Sequence, residues 1–277
     1  MLLAASAAAG ANCEPGDTTR LAVAGGSITE IIYLLGAEDR LGAVDTTSNY
    51  PPEALELPSI GYVRALSAEG LLSLNPTLIL GEDDMGPPEV LKQIEAAGVP
   101  TRQLEEIHTA DGVVSKVRCI GKILDMREEA DAVISSAIAP TVARLPQDTG
   151  ESGPRVALLL NLTDGTPTAA GDTTSGHGLL AMAGADNVFA AVDGWKPVAL
   201  EAMVGADPEY IVMPERGLKA AGGVDAVAGH PAIRLTTAGR RKQIIAMDGM
   251  AMLGFGPRTI NVAAELAEVF AKTAAAP

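Results

Sequence analysis

Short apolar runs separated by stretches of helical periodicity set the rhythm of this chain. Leu21–Ala24, Leu41–Val44, Leu78–Leu80, Val156–Leu160, Ile211–Met213 and Ile244–Met247 have the length and composition of buried strands. Helical periods start near Ser27, Ser67, Pro88, Ala110, Glu128, Gly178, Leu200 and Pro257. Strands alternating with helices predict an α/β fold built on a mostly parallel sheet.

Two ungapped internal matches point to a duplication. Leu35-Gly-Ala-Glu-Asp-Arg-Leu-Gly-Ala-Val-Asp45 returns 148 residues later as Ala183-Gly-Ala-Asp-Asn-Val-Phe-Ala-Ala-Val-Asp193. Glu69-Gly-Leu-Leu-Ser-Leu-Asn-Pro76 returns 132 residues later as Glu201-Ala-Met-Val-Gly-Ala-Asp-Pro208. Two similar Rossmann-like lobes are predicted, an N-terminal one over 20–127 and a C-terminal one over 146–277. A backbone helix over 128–145 joins them, with Ala130, Val133, Ile134, Ala137 and Ile138 on its apolar face and Pro140 expected to kink or end it. Ligands of open α/β sheets lie beyond the carboxyl ends of the strands, so two such lobes predict a ligand cleft between them. Counting back from the matched glutamates sets Tyr62 opposite Gly194, Val63 opposite Trp195 and Arg64 opposite Lys196.

Composition narrows the partners. The chain has 277 residues, 47% of them hydrophobic, enough for one large domain or two lobes. Twenty Lys+Arg against thirty-five Asp+Glu give a net charge of −15, spread along the chain. Such a surface repels nucleic acid and anionic headgroups. Residues 1–11, MLLAASAAAGA, match the apolar core and small-residue end of an export signal, lacking the usual basic start, and are too short to span a bilayer. Cys13 follows Asn12 rather than a small residue, which argues against lipidation. Cys119 sits on an apolar helical face and is read as a buried structural thiol.

Several stretches together resemble a known family. They are Val23-Ala-Gly-Gly-Ser-Ile-Thr-Glu30 with Leu34-Leu-Gly-Ala37, Ser48-Asn-Tyr-Pro-Pro52, Ile60-Gly-Tyr-Val-Arg-Ala-Leu-Ser-Ala-Glu-Gly70 and Leu253-Gly-Phe-Gly-Pro-Arg258. The chain resembles the periplasmic haem-binding proteins of bacterial haem ABC importers, members of the helical-backbone class of substrate-binding proteins, from Arg20 to Phe270. The Gly-Tyr-x-Arg-x-Leu stretch is specific to haem binders, and the other pieces are shared with cobalamin and siderophore receptors. The resemblance implies a periplasmic, monomeric receptor, not an enzyme, that binds ferric haem and hands it to the permease subunits of an inner-membrane importer. A cobalamin or ferric-siderophore receptor is the alternative on the same fold. An α/β enzyme is the alternative from another class, but no phosphate loop, nucleophile elbow or carboxylate–histidine constellation supports it.

By the same resemblance Tyr62 is the axial ligand of the haem iron, a hard anionic donor suited to Fe(III). Arg64 either favours the phenolate or pairs with a propionate. Some relatives carry a histidine in the segment corresponding to 187–196; none stands here, so ligation by tyrosine alone is expected, with His177 as a second candidate at a helix start. His108 and His230 lack metal spacing and are read as structural. Trp195 either meets the porphyrin edge or covers a lobe core, and Lys196 and Arg258 are candidate propionate partners. Gly25-Gly26-Ser27 opens a helix whose amides and Ser27 hydroxyl are candidates for a propionate, against a plain strand–helix turn. Met85, Met250 and Met252 are candidate cleft-lining residues, methionine being adaptable to a large ligand. Glu69 and Glu201, at matching helix starts, are candidates for docking onto permease arginines.

Overall fold

A computed structural model describes residues 12–147, 152–162 and 165–274; the proposed export signal, 1–11, lies outside them. The chain divides into two units. The first takes in the chain up to Ile107 together with Asp111–Pro140, and the second takes in His108–Ala110 and the chain from Thr141 onward.

The first unit runs β1 (Leu21–Ala24), α1 (Gly26–Leu34), β2 (Leu41–Val44), α2 (Ala68–Ser73), β3 (Leu78–Glu82), α3 (Pro88–Ala96), β4 (Thr101–Leu104) and α4 (Ala110–Ile123). Its sheet has the order β2-β1-β3-β4, parallel throughout. β1 and β3 are buried along their whole length, as continuous apolar runs in a sheet covered on both faces must be. Ala22, Ala24, Ile79, Leu91 and Ile94 meet on one side of it with Ile60, Val63 and Leu66. β4, Thr-Arg-Gln-Leu, carries no apolar run. Its backbone pairing with β3 makes it a strand.

A helix follows from α5 (Arg127–Val133) through a π-helical turn at Ile134–Ile138 to α6 (Ala139–Val142). Pro140 was expected to kink or end it. The wider turn just upstream lets the chain pass a residue that has no N–H and whose ring crowds the preceding turn.

The second unit runs β5 (Arg155–Asn161), β6 (Thr168–Ala170), α7 (Ser175–Met182), β7 (Asp186–Asn187), β8 (Trp195–Pro197), α8 (Leu200–Ala206), β9 (Tyr210–Pro214), α9 (Glu215–Ala220), α10 (Val224–Gly229), α11 (Thr237–Arg241), β10 (Ile244–Met247), α12 (Gly249–Leu253) and α13 (Pro257–Ala274). β7, β5, β9 and β10 pair in that order, all parallel, which repeats β2-β1-β3-β4 of the first unit. The duplication is therefore present in topology as well as sequence. The helices before β2 and β7 end in the same way. Gly36 and Gly184 stand at φ 71° and 69°, with Ala37 N–H donating to the Ile32 carbonyl and Ala185 N–H to the Leu180 carbonyl, both at 3.0 Å. Glycine takes this left-handed turn without a Cβ penalty.

The second unit also departs from the first. β6 adds to the later part of β5 in antiparallel fashion, and β8 adds antiparallel to β6. Trp195-Lys196 thus lie on a sheet strand, whereas Tyr62-Val63-Arg64 lie in an irregular loop. The residue-by-residue equivalence drawn from counting does not extend to local conformation.

The structural thiol expected at Cys119 is corrected. Cys13 and Cys119 form a disulfide, with Cα atoms 4.9 Å apart and a sequence separation of 106. It fastens the segment before β1 to α4. Neither CxxC nor any local spacing announces a pair so far apart.

Candidate functional site

Tyr62 stands in the loop that follows β2. Ser59 bridges Val44 in parallel, Ile60 N–H donates to the Val44 carbonyl at 2.9 Å, and Thr46 N–H donates to Gly61 at 2.9 Å. This short pairing carries the chain past the carboxyl end of β2, the edge where ligands of such sheets bind. Val63 and Leu66 turn into the core, leaving Tyr62 44% exposed.

Arg64 Nη1 donates to the Tyr62 hydroxyl oxygen at 3.2 Å. Its Nε and Nη2 lie 2.6 and 2.5 Å from Asp84 Oδ2. Burial opposes the guanidinium charge, but the hydrogen bond and charge of Asp84, with lesser help from Tyr62 and Glu82, hold Arg64 above its ordinary range. Of the two roles expected for Arg64, this geometry supports the cation beside the phenol oxygen. Three of its N–H groups already face Tyr62 and Asp84.

The start of α1 does not form an open anion site. Gly25 N–H donates to Asp45 Oδ1 at 3.1 Å, and Gly26 N–H to Thr47 Oγ1 at 3.0 Å. The Ser27 hydroxyl is buried, donating to Glu82 Oε1 at 2.9 Å and accepting from Lys116 Nζ at 3.0 Å. The propionate reading of Ser27 is corrected to a buried network, because its hydroxyl and the Gly25 and Gly26 amides take their partners from within the fold. Desolvation raises the Glu82 carboxyl, with Lys116 opposing it. Nearby, desolvation pushes Glu106 up to about 8, opposed by Lys116 and reinforced by Glu82, Asp83 and Asp84.

Met85 is corrected as well. It is 2% exposed and packs in the first unit's core, over Gly81, where any Cβ would collide with its side chain. Met252 is fully buried in the second unit, and Met250 is partly buried.

In the second unit, His177 lies near the start of α7. Asn187 Nδ2 donates to its Nδ1 at 3.3 Å, and its Nε2 lies 3.8 Å from Asp172 Oδ1. The His108 ring packs on Phe255 with centroids 4.7 Å apart, and His230 Nδ1 accepts from Ala232 N–H at 3.3 Å. Trp195 is partly buried against the cluster of Leu158, Ala170 and Leu179, so it covers that core. Lys196 is exposed, while Arg258 Nη1 donates to Asp248 Oδ1 at 3.2 Å. Glu69 and Glu201 are both exposed at the second position of a short helix, α2 and α8, each leading into the third strand of its unit's shared frame.

The profile of the periplasmic binding protein family matches residues 21–251. The chain belongs to the periplasmic binding protein family. It is thus a substrate-binding protein rather than an enzyme, and among the described residues no helix is long and apolar enough to cross a membrane. Among solved structures, this binding protein is similar to the periplasmic haem-binding protein RhuT from Roseiflexus sp. RS-1 in apo form, with 36% identity, 93% of this chain and 99% of that one covered, and a TM-score of 0.84. It is similar also to the periplasmic haem-binding protein BhuT in complex with two haems, with 34% identity, 92% and 99% covered, and a TM-score of 0.84. Among curated proteins it is 26% identical over 188 residues to the vitamin B12-binding protein of Pectobacterium carotovorum subsp. carotovorum (strain PC1), which spans 67% of each chain.

The hydrophobic pattern of this binding protein does not point to Asp84, Asp45 or Thr47. Asp84 had one available signal, its place in the acidic Glu82-Asp-Asp84 at the end of β3. Asp45 and Thr47 likewise follow β2, but their targets on α1 are set by the parallel pairing of β1 with β2.

Proposed function

We propose that this chain binds ferric haem through the Tyr62 oxygen and delivers it to an inner-membrane ABC haem importer. The observation that carries the reading is an exposed tyrosine, at the carboxyl edge of a parallel sheet, whose hydroxyl receives an N–H from a guanidinium. A phenol oxygen is a hard donor suited to Fe(III), and the guanidinium beside it is a cation placed against the negative charge it carries on binding iron. The haem-binding solved relatives support this cargo over cobalamin, since they match more of the chain at higher identity than the vitamin B12-binding relative. In this reading iron has a single protein ligand. His177 stays off the metal with its Nδ1 held by Asn187, and exposed Lys196 and, less freely, Arg258 meet propionate carboxylates. The monomer presents Glu69 and Glu201 to the permease.

Mixing with hemin and recording the ultraviolet–visible spectrum tests the proposal. The wild type is expected to show a defined Soret band and a ferric-phenolate charge-transfer band. Tyr62→Phe keeps most of the packing surface and should lose that band and retain haem much more weakly. An unchanged spectrum and dissociation rate in Tyr62→Phe would remove Tyr62 from the site.

A further inference from the structure

Beyond Tyr62 and Arg64, we propose that Asp84 is a positioning residue that sets the donor strength of the Tyr62 oxygen by clamping Arg64. This inference rests on the haem reading above. The Arg64 side chain is 62% exposed, and an exposed arginine explores many rotamers unless something holds it. Asp84 Oδ2 takes both Nε and Nη2, which leaves Nη1 aimed at Tyr62. This is the fork geometry that a guanidinium has and an ammonium lacks.

The backbone holds both ends of the clamp. Gly86 N–H donates to the Val63 carbonyl at 3.0 Å, and Leu66 N–H donates back to Gly86 at 2.9 Å. The loop of Tyr62 and the loop of Asp84 are thereby stitched together. From the other side, Gln103 Nε2 on β4 donates to the Asp83 and Met85 carbonyls at 3.0 and 3.1 Å. Asp84 Oδ1 is buried with no hydrogen-bond partner among the described residues, so no second donor draws the carboxylate away from Arg64. A hydrogen bond to the phenolate oxygen withdraws electron density from it, weakening its donation to iron. The opposing charge of Asp84 moderates that pull.

The test uses the full chain loaded one-to-one with hemin and reads the wavelength of the ferric-phenolate charge-transfer band. Arg64→Ala is expected to move the band to longer wavelength, because the phenolate becomes a stronger donor. Asp84→Ala should move it in the same direction by a comparable amount, and the double variant should go no further than Arg64→Ala alone. Asp84→Asn keeps an oxygen acceptor and should hold the band at or below the wild-type wavelength. If Asp84→Ala does not fold, Arg64→Lys serves instead. One ammonium cannot serve both partners, so its band should match that of Arg64→Ala. A wild-type band in Asp84→Ala or in Arg64→Lys would overturn the clamp, as would shifts that simply add in the double variant. Failure of the underlying reading is distinguishable: there Tyr62→Phe keeps the band, and no variant at Asp84 has a phenolate to tune.

Discussion

Replacing Cys13 and Cys119 with serine should weaken the first unit by several kcal/mol. The cross-link closes a loop with a sequence separation of 106 residues, and the chain-entropy relation for that length gives about 4.8 kcal/mol at 25 °C. Disulfides generally deliver less than this relation predicts, so a loss of about 3–5 kcal/mol is expected. With a urea slope of about 1.5 kcal/mol/M, the midpoint should fall by about 2–3 M. Two probes localise the loss. Far-UV circular dichroism follows both units, while fluorescence of Trp195, the sole tryptophan, follows the second. In the variant the dichroism transition should move to lower urea and separate from the fluorescence transition. Wild-type protein unfolded in thiol reductant should behave like the variant. A midpoint indifferent to both treatments would refute the reasoning, as would two titratable thiols in unreduced, unfolded protein. Such a bond also suits the oxidising periplasm in which this family works.

Glu106 predicts a pH dependence. Its carboxyl, pushed up to about 8 by burial, binds its proton more tightly in the folded state than in the unfolded chain, where it titrates near about 4.3. Its contribution is therefore complete below that lower value and lost as pH rises through about 8. Glu106→Gln should flatten this decline and stabilise the protein by about 1–2 kcal/mol at pH 8, allowing for water at a partly exposed group; a parallel stability–pH curve in the variant would contradict it. Replacing Glu69 and Glu201 together with alanine should preserve the hemin spectrum and affinity but slow delivery to the cognate transporter in proteoliposomes, most visibly at low salt. Normal delivery would place docking elsewhere, and lost haem binding would make the glutamates structural.

Much of the fold was legible because its core strands are apolar on both faces. Leu21–Ala24, Leu41–Val44 and Ile244–Met247 coincide with strands as observed, and the repeated Gly36 and Gly184 mark the duplicated turns. β4 and β6–β8 escaped because pairing with a neighbour creates short strands that carry no hydrophobic period of their own. The four helices between Glu215 and Leu253, each five or six residues long, escaped as well.

At the site, residue order alone shows that a Gly-Tyr-x-Arg stretch follows an early strand, that Glu69 and Glu201 recur at matching places, and that the chain is two related α/β units. These are properties of local order and short-range pattern, which a linear string preserves. Which candidates reach solvent, and which partners they take, follows from packing between distant segments. It buried Ser27 between Glu82 and Lys116, packed Met85 over Gly81, joined Cys13 to Cys119 and gave Arg64 to both Tyr62 and Asp84. Each of those outcomes depends on strands far apart in the chain lying side by side, because a buried polar group must take whatever donor or acceptor the packing brings within about 3 Å.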